Sequence, residues 1–503
     1  MVDTIAHKPS ETGKELTTKS RVPLNAVLLS SAQFLRAVIG FLFFLFLARR
    51  FGPEDYGKYV FAFSLAEIFS ILGDIGLHEY TIRELARRPE QLRDRLTGIL
   101  VLKTLLSSTS AIIMVTILPL MGKDRPTQLA VAAFAIAQIG YSWFFASTIA
   151  FSVKQDMHLQ AFLWLMEKVL FAGAGLAVLF AGRGFVAVAI SNTFVQFFGG
   201  SLAVWIAWRK YGPFVLRLDS KLWAGYLKSA LPFGLIVAFF LVYFRIDSVM
   251  VSFFRGDEEV GQYGAAYNLV AALLFLPSGL VAAMFPRLAE SYRSREDNVD
   301  APFQRAARWL LAVSLPMAVG IWLLAGPLVL VLLKNTYLPA VNAFAILGWT
   351  LPVWFITFLQ GNLLTIVERQ KAVAWVGLFN MILNVGLNLY IIPRYGFTGA
   401  AVTTLVTEIV GLIQMFWLLR RNISLAATAV MALKVAAPVA VMAVLVWVLR
   451  DRINVFAVIA AAVIVYTPAI IAIGIIPLSE IREILHRGSG GTPPAEIQPN
   501  EGL

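Results

Sequence analysis

The chain has no cysteine, which excludes disulfides and thiolate metal sites and leaves its redox compartment unread. Histidine is nearly as scarce. His7, His78, His158 and His486 stand far apart, with no metal-ligand spacing. Charge is short as well: charged residues make up 14% of the 503 positions, where a soluble chain carries about a quarter. No Walker A sequence occurs, and no polar segment is long enough for a nucleotide-binding domain, so nothing in the sequence points to ATP as a drive. Against these gaps stand a hydrophobic content of 59% and a mean hydropathy of +0.75. A soluble chain of this length has too little core to hide so much apolar surface, and the surplus predicts lipid-facing helices. The net charge of +12 does not point to nucleic acid, because the basic residues lie between apolar runs and not on one soluble face. The polar, mixed-charge opening residues predict no cleaved leader, since the first apolar run is too long for one.

A helix needs about 20 apolar residues to cross the hydrocarbon core. On that rule the sequence predicts an all-α polytopic membrane protein with about fourteen spans. It divides into an N-terminal tail (1–22), an N-lobe of six helices (23–208), a basic connector (209–230), a C-lobe of six helices (231–420), two further helices (430–476) and a disordered tail (487–503). Lys and Arg crowd the alternate loops 78–96, 209–230 and 286–308. This asymmetry predicts that both termini are cytoplasmic and that these loops face inward.

The lobes look duplicated. Gly52-Pro-Glu-Asp-Tyr-Gly-Lys-Tyr59 returns without a gap as Gly256-Asp-Glu-Glu-Val-Gly-Gln-Tyr263, an offset of 204 (256 − 52). Gly184-Phe185 returns as Gly396-Phe397, an offset of 212 (396 − 184). Six helices per copy is an even number, so both copies enter the membrane in the same direction. Such a duplication predicts a transporter with its site between the halves. The charges do not repeat: Arg36 aligns with Phe240 and Glu67 with Ala271. The interior is therefore asymmetric, which suits a large cargo with a polar head better than a small symmetric ion.

An ionisable residue at mid-bilayer is costly, and so marks a functional candidate. Arg36, with Gln33 on the same face, sits near the middle of helix 1, and Glu67 near the middle of helix 2. These helices are sequential, so Arg36 and Glu67 are expected to pair, either to fix packing or to line a hydrated cavity. Asp74 and Lys103, near the inner ends of helices 2 and 3, are candidates for a cytoplasmic gate, with an interfacial role as the alternative. Lys168 and Lys434 read as packing or snorkelling residues. Arg245 and Asp247 are two apart on helix 7 and must face different ways. Glu67, Asp247 and Glu408 are the carboxylates through which proton or sodium coupling would act; that coupling stays open, and no other cofactor is expected. Tyr267, Asn268, Gln196 and the stripe Asn380, Asn384, Asn388 offer hydrogen bonds suited either to glycan hydroxyls or to helix packing.

The run Leu47-Ala-Arg-Arg-Phe-Gly-Pro-Glu-Asp-Tyr-Gly-Lys-Tyr-Val60, with Gly73-Asp-Ile-Gly-Leu77 and Ile82-Arg-Glu-Leu-Ala-Arg87, resembles the opening of polysaccharide flippases. These belong to the multidrug/oligosaccharidyl-lipid/polysaccharide exporter superfamily. Arg245-Ile-Asp247, Gly261-Gln-Tyr-Gly-Ala-Ala-Tyr267 and Phe285-Pro-Arg287 resemble that family's second half. The resemblance covers about residues 24–420 and lies in scaffold motifs. It implies two six-helix bundles around a central cavity, in the cell membrane. It also implies alternating access that carries an undecaprenyl-pyrophosphate-linked oligosaccharide, as for O-antigen or capsule, from the inner to the outer leaflet. In that reading Arg36 and Arg245 meet the pyrophosphate, and the two extra helices favour the glycan branch. Glycan polymerase or glycosyltransferases are conceivable partners. The competing expectations are a cation-coupled multidrug exporter, a membrane-embedded glycan polymerase and a non-transporting assembly scaffold. The short outer loops weigh against an enzyme.

Overall fold

Gly52 has φ 76° and ψ 176°, and Gly256 has φ 93° and ψ 175°. The two glycines that the repeat aligns thus adopt the same left-handed turn, which side chains with a Cβ rarely enter. The computed structural model describes residues 12–212, 219–293 and 299–477. The expected tail 487–503, and the parts of the tail 1–22 and of the basic loops at 1–11, 213–218 and 294–298, lie outside the described residues.

The turn at Gly52 explains a helix that is too long. The first helical segment, α1 (Thr12–Asp74), runs 63 residues, which would be about 95 Å if straight, three times the hydrocarbon core. Gly52 breaks it into the two spans expected on either side. Gly396 (φ 60°) breaks α13 (Gln370–Leu419) in the same way. Among the described residues twelve helical segments are long and apolar enough to cross a membrane. The sequence reading counts about fourteen because it divides these two long segments.

The other elements follow the duplication. Helix α2 (Leu77–Arg87), α3 (Leu92–Ile117), α4 (Arg125–Val153), α5 (Met157–Phe180) and α6 (Phe185–Tyr211) complete the N-lobe. The C-lobe runs through α7 (Ser220–Arg255), α8 (Asp257–Ala271), α9 (Phe275–Arg293), α10 (Asp300–Leu332), α11 (Val341–Gly348), α12 (Thr350–Ile366) and α13. Helices α14 (Leu425–Leu449) and α15 (Val455–Ala472) follow, with α14 packed on α10. Within the expected loop 78–96, residues 77–87 form α2, because Leu77, Thr81 and Leu85 recur at helical spacing and are buried together. Outside the core, Phe194, Leu433 and Ile464 are each at least 70% exposed, a fault in water and the expected state against lipid.

The lobes meet at both ends through glycine. A Cβ on Gly57 would run into the backbone carbonyl of Asp257, and one on Gly261 into that of Pro53. Positions 53 and 57 align with 257 and 261 under the offset of 204, so the contact is reciprocal. Tyr337 donates its hydroxyl to the carbonyl of Ala48 at 2.9 Å. Lys123 reaches Asp257 and the hydroxyl of Ser252, both at 2.6 Å. The opposite end is closed by Gly76 (φ 78°) against the backbone of Gly234, with Arg95 donating to the Tyr226 hydroxyl at 2.6 Å. On the orientation expected from the loop charges, the Gly57 end would be the outer one and the Gly76 end the inner one.

Replacing Gly57 or Gly261 by leucine must push the lobes apart, a misfit of about 1–3 kcal/mol. Thermal unfolding of purified protein should show a transition several degrees lower. Gly225→Leu, where open space surrounds the position, is expected to leave it in place.

Candidate functional site

Midway between the closed ends, Glu67 on α1 forms an ion pair with Arg245 on α7. Both side chains are about a quarter exposed, at 30% and 25%. This pair crosses from the N-lobe to the C-lobe. The guanidinium of Arg245 also stands over the Phe63 ring, 5.4 Å from its centroid. The expected pair of Arg36 with Glu67 does not form. Arg36 instead faces Glu167 of α5 at 3.8 Å and stacks on Trp164 at 5.2 Å. Sequence adjacency suggested the wrong partner: the second half of α1 turns Glu67 toward α7, while α5 packs beside the first half.

The Arg36 side is built by neighbours that a reading of α1 alone could not supply. Gln196 donates to the Glu167 carboxylate at 2.9 Å and to Asn192 at 3.4 Å, so it holds Glu167 in place. Lys168 lies across Gly40, where the missing Cβ leaves it room, and over the Phe171 ring. Glu167 and Trp164 were not among the expected residues. Their signal was the helical spacing Trp164, Glu167, Lys168 in an otherwise apolar span. Gln33 is exposed, one turn before Arg36.

Asp74 and Lys103 do come together, as an ion pair with Lys103 only 1% exposed. Asp74 also accepts the His78 backbone N–H at 3.3 Å, across the break at Ile75-Gly76. Lys103 therefore does not snorkel. The pair borders a cavity of about 210 Å³ lined by Gly76 and Gly234, at the end of the lobe interface where those glycines meet.

Arg245 and Asp247 face different ways, as their spacing requires. Asp247 is 4% exposed and accepts from Tyr263 and Thr404, both at 2.8 Å, and from Asn388 at 2.7 Å. Asn388 also donates to Asn384 at 3.1 Å, and both asparagines are fully packed. The structure thus uses Asn384 and Asn388 to satisfy a buried carboxylate inside the C-lobe. Asn268 donates to the Tyr56 hydroxyl at 3.1 Å and ties the lobes. Tyr267 lies against Trp354, with ring centroids 6.1 Å apart. Asn380 and Glu408 line a separate crevice in the C-lobe. No group of histidine, aspartate and glutamate among the described residues is arranged to hold a metal ion.

Comparison with known proteins fits this geometry. A family model described as polysaccharide biosynthesis protein matches residues 24–292, and a second, MatE, matches residues 232–390. A relative in Shigella flexneri described as "Putative O-antigen transporter" is 22% identical over 406 residues, covering 75% of this chain and 93% of that one. Among solved structures, lipid II flippase MurJ in an inward closed conformation superposes with TM-score 0.73 at 14% identity, covering 92% of this chain and 99% of the other. An inward-facing multidrug resistance MATE family transporter of the MOP superfamily gives TM-score 0.60 at 17% identity, covering 79% and 95%.

If Glu67 and Arg245 hold the lobes together, their substitutions must interact. Glu67→Gln and Arg245→Gln should each lower thermal stability, and the double variant by less than the sum, with a coupling of about 0.5–3 kcal/mol. Additive losses in that cycle would show that the pair does not bridge the lobes.

Proposed function

The chain belongs to the polysaccharide biosynthesis protein family, and from that premise we propose that it moves a polyprenyl-pyrophosphate-linked oligosaccharide from the inner to the outer leaflet by alternating access. It is a multi-pass protein of the cell membrane. The observation that carries the proposal is the Glu67–Arg245 pair, which spans the lobes at mid-depth beside a second arginine, Arg36, that is loosely paired.

In this mechanism the carboxylates of Glu67 and Glu167 stand where the oxygens of a pyrophosphate would bind. Arginine presents a planar fork that accepts either group, and phosphate geometry suits it well. Breaking such an ion pair without replacement leaves two unpaired charges at mid-bilayer, which is unfavourable. A diphosphate that enters between Arg36 and Arg245 supplies the replacement charge. The lobes then separate only when cargo is present, so the empty protein does not open a leak. Gly76–Gly234 with Asp74–Lys103 forms the inner gate, and Gly57–Gly261 with Lys123–Asp257 the outer one. Proton or sodium coupling would act through one of the carboxylates Glu67, Asp247 or Glu408. The cation-coupled drug exporter, the alternative within the superfamily, needs acidic residues and has little use for Arg36 or Arg245.

The test is leaflet movement of a fluorescent undecaprenyl-pyrophosphoryl oligosaccharide in proteoliposomes. Wild type is expected to move it, with a loss of at least tenfold in Arg36→Ala and in Arg245→Ala. Movement that survives both substitutions would make the arginines packing residues. No movement with several glycans, together with efflux of small cationic drugs, would favour the exporter.

A further inference from the structure

The C-lobe contains a crevice of about 430 Å³ between α7, α12 and α13 to which the mechanism above gives no part in holding cargo. Its size lies in the range of small-molecule sites. Rings form the walls: Phe240, Tyr243, Trp354 and Phe358. Polar groups interrupt them, among them the buried Asn380 and Glu408, each 8% exposed. The polar groups acting on Glu408 are the Trp354 indole, the Tyr243 hydroxyl and the more distant Asp247, with no lysine or arginine among them. The side-chain carbonyl of Asn380 has no hydrogen-bond partner. A buried carboxylate without a cation, and an amide without a donor, are costly to keep in a folded core. Both become useful if a ligand brings hydroxyl groups to them.

Sugars fit this combination. The C–H bonds of a pyranose ring present a weakly positive face, which rests well on the negative face of an aromatic ring. Each hydroxyl both donates and accepts, matching a carboxylate that accepts and an amide that does both. The crevice also begins close to the headgroup arginines. Tyr267 packs on Trp354 at 6.1 Å and lies within electrostatic reach of both Arg245 and Glu408. A cargo held at Arg245 by its diphosphate would lead its sugars past Tyr267 onto Trp354.

We infer that this crevice is a glycan subsite that accepts neutral or amino sugars and rejects acidic ones. It rests on the reading of the cargo as a lipid-linked glycan. Rejection follows from the lining, which offers a uronate no lysine or arginine, so the acid would lose its hydration with no cation to replace it. The subsite thus restricts which repeat units the protein carries.

The experiment is saturation-transfer NMR on the full chain in detergent. The probes are N,N′-diacetylchitobiose, a glucuronate-containing disaccharide and tetraethylammonium. Wild type should bind the neutral disaccharide at least tenfold more tightly than the acidic one. Trp354→Leu should weaken neutral binding at least fivefold, while Lys434→Gln, on exposed α14, should not. Glu408→Lys, which supplies the missing cation, should narrow the discrimination by raising affinity for the glucuronate disaccharide, a gain that misfolding does not produce. Equal binding of both disaccharides to wild type, or neutral binding unchanged in Trp354→Leu and Glu408→Lys, would overturn the subsite. So would tetraethylammonium binding that depends on Glu408 with no sugar binding, since an aromatic box with a carboxylate also suits an organic cation. The free disaccharides need no translocation. Crevice binding without leaflet movement of the lipid-linked form would therefore count against the flippase alone. Movement without any disaccharide binding would count against the subsite alone.

Discussion

A charge at mid-bilayer must find an opposite charge or water, and in this protein the need is met across the boundary between two lobes. Glu67 belongs to one half and Arg245 to the other, so neither is satisfied unless the halves are together. The other interior charges arrange themselves around that condition. Arg36 is left to Glu167, Glu167 is steadied by Gln196, and Asp247 is enclosed by hydroxyls and amides of its own lobe. The N-lobe side thus carries Arg36 and Lys168 with Glu67 and Glu167, and the C-lobe side Arg245 with an enclosed Asp247.

Glycines set how closely the two halves meet. At each end the lobes touch backbone to backbone, at Gly57 with Gly261 and at Gly76 with Gly234. Small residues permit close approach in a membrane, where the hydrophobic effect does not drive helices together. A contact of this kind is tight when formed and leaves no large side chain to be unpacked when it opens. The few polar ties beside it, Lys123 with Asp257 and Arg95 with Tyr226, are the kind that water can replace. In this structure the lobes are in contact at both ends.

The asymmetry between the halves is as informative as their likeness. The duplication keeps the turn, the glycine contact and the helix order, and it discards the charges. Arg36 has Phe240 opposite it, and Phe240 is a wall of the C-lobe crevice. One inherited position has become a cation in one lobe and an aromatic surface in the other. In the proposed function, such a division would let one cargo meet two chemistries at once.

The sequence by itself determined the membrane class, the all-helical architecture and the family, because these rest on apolar run length and on short motifs with fixed spacing. The pair Gly52 and Gly256 was visible as a repeat, and its meaning as a turn followed from glycine's freedom at positive φ. The opposed directions of Arg245 and Asp247 followed from two-residue spacing on a helix. Which charge meets which was decided only by tertiary structure. Arg36 and Glu67 are close in sequence, but the pairing depends on how α5 and α7 pack against α1, and no local period encodes that. The same holds for Asn384 and Asn388. As a polar stripe they could serve a ligand or a neighbour, and the burial of Asp247 from a different helix settled which.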